Sequence, residues 1–113
     1  MLRPTAQELF EVEPRLHRLV EMCMVELAAE EVWLFGSRSR GDPRPGSDWD
    51  VLVVISDYAP SAVDAAPNVW QVKRTSGLPV DLLTVRASEF AASKLTVNTL
   101  SHAAATAGVK LDA

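Results

Sequence analysis

Residues 31–55, EVWLFGSRSRGDPRPGSDWDVLVVI, contain two short apolar segments separated by a loop rich in glycine and proline. The first segment, 31–35, ends at Gly36, and the second, 51–55, is mostly β-branched. Short apolar segments bounded by turn residues are typical of buried strands, particularly when they are β-branched. The stretch therefore predicts two strands, with a Gly-Ser turn after the first and two aspartates at the start of the second.

Helices are predicted before the first strand. Thr5 and Glu8 have the spacing of a capping box, which predicts a short opening helix, and Pro14 then begins a second one. Apolar residues after Pro14 recur at helical spacing and predict one buried face. They are Leu16, Leu19, Val20, Cys23, Met24 and Leu27.

The rest of the chain alternates between helical and strand-like segments. Residues 61–75 have a helical pattern that Pro67 begins or interrupts, and GLPVDLLTV, residues 77–85, predicts a third strand. Ser88 predicts a helix N-cap, and the alanine-rich residues 96–107 predict a helix that stops at Gly108, before a small final strand. This order of elements predicts an α/β or α+β fold.

Length and composition restrict the class of protein. A chain of 113 residues is expected to form a single domain over residues 1–113. Its net charge of -4 argues against stable nucleic-acid binding, which depends on basic side chains that neutralise phosphates. The single cysteine excludes an internal disulfide and a multi-cysteine metal site. No apolar segment approaches the roughly 20 residues of a membrane span, so a cytoplasmic protein is expected.

Asp48 and Asp50 are separated by one residue at the start of the second predicted strand. Because side chains alternate along a strand, the two carboxylates are expected on one face and Trp49 on the other. Paired carboxylates repel unless a cation neutralises them, and Mg²⁺ commonly joins carboxylates to substrate phosphates. For this pair alone, a solvated strand end with a turn at Ser47 remains an equal alternative.

Asp81 lies between Val80 and Leu82 in the third predicted strand, where a buried charge is expected to have a functional reason. Three acids on adjacent strands have the ligands to hold two metal ions for an in-line phosphoryl displacement. This pattern predicts Asp48, Asp50 and Asp81 as catalytic residues and metal ligands.

The Gly36-Ser37 turn supplies the complementary chemistry. Glycine permits close approach of the backbone, and a following helical turn would direct amide donors at phosphate oxygens. The Ser37 hydroxyl is a further donor, and Arg38 and Arg40 add positive charge. We therefore predict Gly36, Ser37, Arg38 and Arg40 as nucleotide-binding residues, although a Gly-Ser pair by itself is more often only a turn.

In this combination the sequence resembles the minimal nucleotidyltransferases of the DNA polymerase β-like superfamily. Their signature is a hydrophobic strand with Gly-Ser, a loop, Asp-x-Asp, and a later strand with an aspartate between hydrophobic residues. Here Gly36-Ser37, Asp48-Trp49-Asp50 and Val80-Asp81-Leu82 occur in that order. The resemblance extends over residues 14–110 and departs at Asp112, where relatives often carry a bulky residue.

The resemblance implies a small mixed β-sheet flanked by helices, Mg²⁺ at the three aspartates, and ATP as the substrate. It further implies an antitoxin that adds AMP to a tyrosine of a HEPN-domain toxin. This antitoxin is expected to lack the additional acceptor-binding domain of larger relatives. Two alternatives remain open: an antitoxin that neutralises its partner by docking without catalysis, and a subunit of a small-molecule nucleotidyltransferase. The sequence leaves the oligomeric state open.

Overall fold

The computed structural model describes residues 3–41, 46 and 48–112, so most of the loop predicted between the first two strands lies outside the described residues. Over the described part, the chain forms helices and strands in a mixed order. They are α1 (Ala6–Val12), α2 (Arg15–Glu26), β1 (Ala29–Phe35), α3 (Ser37–Arg40), β2 (Trp49–Ile55), α4 (Ala66–Ser76), β3 (Val80–Arg86), α5 (Ala87–Ser93), α6 (Leu100–Ala107) and β4 (Val109–Lys110).

The strands form one mixed sheet in the order β3-β2-β1-β4. β1 pairs antiparallel with both β2 and β4, whereas β2 and β3 are parallel. Parallel neighbours need a crossover connection, and α4 provides it between β2 and β3. The predicted α/β fold, a small mixed sheet flanked by helices, is confirmed.

Helices cover both faces of the sheet. One core joins the sheet to α2 and α4, and the other joins it to α5 and α6. β2 contributes to both cores, with Val51, Val53 and Ile55 in the first and Leu52 and Val54 in the second. This double burial explains why the second apolar segment is continuous rather than alternating. No helix in the described ranges is long and apolar enough to cross a membrane.

The helices after β3 differ from the sequence prediction. Arg86, not Ser88, is the N-cap of α5, and the Ser88 amide and hydroxyl donate to a carboxylate oxygen of Asp57 at 3.1 and 3.0 Å. A side chain distant in sequence thus satisfies the amide. The last helix begins at Leu100 rather than at residue 96, because Thr99 caps it.

Asp112 extends the hydrogen bonding along the side of β1 that pairs with β4. Its Oδ1 accepts the backbone N–H of Val32 at 2.9 Å, while the N–H of Leu111 donates to the Val32 carbonyl at 2.7 Å. The Asp112 side chain is 6% exposed, and its other oxygen lies 3.7 Å from Nζ of Lys110. A carboxylate oxygen therefore takes the acceptor position that a further strand residue would occupy, which gives Asp112 a structural role.

We expect Asp112→Ala to lower the free energy of unfolding by about 1–3 kcal/mol, because the buried Val32 N–H loses its acceptor. Asp112→Asn retains an acceptor oxygen and should lose less. Urea unfolding at neutral pH measures both, with the exposed Glu30→Ala in β1 as the control. A loss for Asp112→Ala no larger than that of the control would contradict this role.

Candidate active site

The first two residues of β2 face opposite sides of the sheet. Trp49 is 4% exposed in the core beneath α2 and α4, and its backbone N–H donates to the Pro79 carbonyl at 3.0 Å. Asp50 is half-buried, and its side chain points to the opposite face of the sheet from Trp49. Farther along β2, α5 and α6 cover that face. Asp48 is exposed and precedes β2, which begins at Trp49 rather than at the first aspartate.

Asp81 lies directly beside Asp50. The two residues are partners in the parallel register of β2 and β3, so their side chains leave the same face of the sheet. Asp81 is exposed, and the prediction of a buried charge was therefore wrong. β3 is an edge strand, and Asp81 is only its second residue, so water reaches the carboxylate although both sequence neighbours are buried.

The turn after β1 brings the backbone against Asp50. Gly36 has φ 77° and ψ -162°, a conformation that is essentially restricted to glycine. A Cβ at this position would overlap the Asp50 carboxylate. The N–H and hydroxyl of the buried Ser39 both donate to the Gly36 carbonyl, at 3.1 and 2.7 Å, and hold the turn that precedes Ser37.

The two arginines of α3 lie in different surroundings. Arg40 is close enough to Asp50 for its positive charge to lower the pKa of that carboxyl. The Arg38 guanidinium lies 4.4 Å from the ring centroid of Trp49. Since the ring of Trp49 faces the opposite core from Asp50, the structure brings Arg40 to the acidic residues and places Arg38 behind the strand.

Negative charge converges on Asp50. Partial burial raises the pKa of this carboxyl above its ordinary value, the neighbouring charges of Asp81 and Asp48 raise it further, and Arg40 opposes them. The carboxylates of Asp81 and Asp48 therefore act electrostatically on Asp50. A cation among them would relieve the repulsion.

The donor chemistry of the three aspartates suits Mg²⁺, which prefers carboxylate oxygens. Within the described ranges, however, no three acidic, histidine or cysteine side chains are already gathered closely enough to hold a metal ion. Asp48 and Asp81 are exposed and therefore have room to move towards a cation. The residues fit the ion in type and location, although their side chains are not preassembled around it.

Comparison with known families identifies the fold and its general activity. The family model of the nucleotidyltransferase domain matches residues 18–104, a range that includes Gly36, Ser37 and all three aspartates. The chain belongs to this nucleotidyltransferase family. A crystal structure described as "a putative nucleotidyltransferase from Sulfolobus solfataricus" is similar at 27% identity and a TM-score of 0.44, over 68% of this chain and 78% of that one. Comparison with curated proteins finds no match.

The candidate site also brings in residues that sequence analysis did not assign to it. Phe35 is the β1 partner of Asp50, and Ser39 holds the Gly36 turn. A small cavity of about 170 Å³ adjoins this turn. It is lined by Phe35, Gly36, Ser39, Arg40, Ala103 and Ala107. The position of Ser39, three residues after Gly36, is one from which its hydroxyl can bond to the Gly36 carbonyl, so its role was accessible from the sequence. Nothing in the local sequence indicates that Ala103 and Ala107 of α6 line the cavity.

A larger surface depression, of about 740 Å³, lies between the start of α1 and β4. Arg3, Glu8 and Lys110 are among its lining residues, and Gly41 at the end of α3 also contributes. Its described lining includes none of the three aspartates. Because the described lining also lacks Gly36 and Ser37, we place the candidate site at Asp50 rather than at the larger depression.

We expect Gly36→Ala to destabilise the protein by about 1–3 kcal/mol more than Gly46→Ala. Both glycines have positive φ, 77° and 79°, but no atom of the described residues lies within 4 Å of a Cβ at Gly46, whereas a Cβ at Gly36 meets Asp50. The difference between the two variants therefore measures the approach of the turn to the carboxylate. Chemical denaturation gives both values, and equal losses would show that this approach is unimportant.

We expect Asp50→Asn to stabilise the metal-free protein at pH 7. The folded-state pKa of Asp50 is raised, so the folded protein binds this proton more tightly than the unfolded chain, and ionisation of Asp50 opposes folding at neutral pH. The gain should decline as the pH falls through this raised pKa and disappear below the ordinary value of 3.8.

Unfolding free energies measured in the presence of a chelator, from neutral to acidic pH, test this prediction. Exposed Glu30→Gln controls for the loss of a surface carboxylate. A gain for Asp50→Asn that does not change with pH would show that ionisation of Asp50 is not its source.

Proposed function

We propose that this nucleotidyltransferase domain transfers AMP from ATP to a tyrosine hydroxyl of a HEPN-domain toxin, with Mg²⁺, and thereby acts as its antitoxin. One observation carries the transfer chemistry: Asp50 lies against the Gly36 turn and beside Asp81 within a nucleotidyltransferase domain. The resemblance to minimal nucleotidyltransferases supports the choice of ATP, tyrosine and toxin.

In this proposal, Asp48, Asp50 and Asp81 would hold Mg²⁺. When bound, the ion neutralises the carboxylates and the charge that develops on the phosphate oxygens. Because Asp48 and Asp50 lie on either side of Trp49, the core position of that ring limits how far the two carboxylates can separate. Partial burial of Asp50 strengthens its electrostatic interactions relative to those of a fully solvated group.

The triphosphate would be oriented by the segment after β1. Gly36 leaves room for an approaching group, and Ser37 places a hydroxyl group at the start of α3. Arg40 brings positive charge to the same side as Asp50. Local charge of this kind can recognise ATP even though the chain has a net charge of -4.

Asp81 would accept the proton of the acceptor hydroxyl. As the acceptor oxygen bonds to the α-phosphorus, the bond from that phosphorus to the pyrophosphate oxygen breaks, and pyrophosphate leaves. Asp81 suits this role because it is exposed on an edge strand, where a hydroxyl on another protein can reach it. Catalysis would come mainly from positioning and charge neutralisation.

We expect the purified protein to incorporate labelled AMP from ATP and Mg²⁺ into a HEPN-domain protein encoded beside it. Asp81→Asn should reduce incorporation by about 100-fold or more, because a general base typically accelerates a reaction by at least this factor. The variant should retain its stability and its binding to the toxin. Exposed Glu89→Gln in α5 serves as the control. Asp48→Asn combined with Asp50→Asn should abolish both the incorporation and the Mg²⁺ dependence of ATP binding.

Protection of cells from the toxin separates enzymatic action from docking. If the stable, toxin-binding Asp81→Asn variant loses protection, modification is the means of neutralisation. Full protection by that variant would show that docking suffices. Incorporation of all four labelled nucleotides at equal rates would contradict the choice of ATP.

A further inference from the structure

Trp49 lies on the side of the sheet opposite Asp50 and contacts both segments that carry the aspartates. It lies between Asp48 and Asp50 in the chain and is only 4% exposed. Its backbone N–H donates to the carbonyl of Pro79, which directly precedes the strand that carries Asp81. The ring therefore has little freedom to move relative to the aspartates on either side of it.

Arg38 makes the corresponding contact from the Gly-Ser segment. It follows Ser37 in α3, and its guanidinium lies 4.4 Å from the Trp49 ring centroid, within the range of a cation–π interaction. Glu13, at the end of α1, is near enough to interact favourably with the Arg38 charge. The Trp49 ring that the guanidinium contacts lies in the core on the side of the sheet away from Asp50.

We propose that Arg38 and Trp49 form a positioning pair, which holds the Gly36-Ser37 turn in register with the aspartates instead of contacting the nucleotide. This inference rests on the proposed function, since it concerns how that site is aligned. A four-residue helix such as α3 has little stability of its own, so a side-chain contact to the core is needed to fix its orientation. This proposal gives Arg38 an indirect role instead of the phosphate-binding role predicted from the sequence.

Two pairs of variants test the proposal. Arg38→Gln removes the cation and Arg38→Lys retains it, while Trp49→Leu removes the ring and Trp49→Phe retains one. We expect Arg38→Gln and Trp49→Leu each to weaken binding of ATP with Mg²⁺ about tenfold, because displacement of the turn misaligns the site. The double variant should be no worse than either single variant, and Lys and Phe should restore most of the affinity.

Amide hydrogen exchange provides a readout that does not depend on nucleotide. The N–H groups of Ser39 and Arg40 bond to the Gly36 carbonyl at 3.1 and 3.3 Å, so release of α3 should accelerate their exchange about tenfold. Arg74→Gln is the matched control, because Arg74 lies 5.1 Å from the exposed ring of Trp70, far along the chain from these segments. It should change neither measurement.

Direct phosphate binding by Arg38 predicts a different pattern. Arg38→Gln would then weaken ATP binding, while ATP binding by Trp49→Leu and the amide exchange of Ser39 and Arg40 stayed normal, and this result would overturn the proposal. Additive effects of Arg38→Gln and Trp49→Leu would also overturn it. If Trp49→Leu fails to fold, the Arg38 variants and the amide exchange of Ser39 and Arg40 decide. If the native protein binds no ATP, the proposed function fails, and unchanged amide exchange in Arg38→Gln would separately exclude the positioning pair.

Discussion

The alternation of side chains at the start of β2 is the constraint on which the candidate site depends. Trp49 enters one core and Asp50 leaves the opposite face, so a slip of one residue would bury the carboxylate and expose the ring. Burial of the indole opposes such a slip because it removes a large apolar surface from water. The position of the carboxylate thus depends on the side chain next to it.

The site accepts an electrostatic cost to bring its acidic residues together. Burial raises the pKa of Asp50, and the charges of Asp81 beside it in the sheet and of Asp48 along the chain raise it further. Gly36 makes this arrangement sterically possible, because any side chain would occupy the space of the carboxylate. Such residues, which destabilise the ligand-free protein, are common at functional sites, where a bound substrate or ion offsets the destabilisation.

Several features of the fold were accessible from sequence for simple reasons. The apolar segments at 31–35 and 51–55, with the glycine between them, predicted β1 and β2 because burial on both faces leaves a continuous hydrophobic signal. Ser88 and Asp112 were not predictable in this way. Ser88 bonds to Asp57 and Asp112 bonds to Val32, so the role of each depends on a residue brought near only by folding.

The sequence by itself determined the order of the elements, the nucleotidyltransferase motifs and the types of residue available for chemistry, because spacing and side-chain chemistry are local properties. Only the tertiary structure decided that β3 lies at the edge of the sheet, which exposes Asp81 instead of burying it. It also decided that Arg38 and Arg40, two residues apart in one short helix, meet different surroundings, the Trp49 ring and the Asp50 carboxylate. The physical reason is that exposure and electrostatic neighbours depend on strand pairing and packing, which join segments distant along the chain.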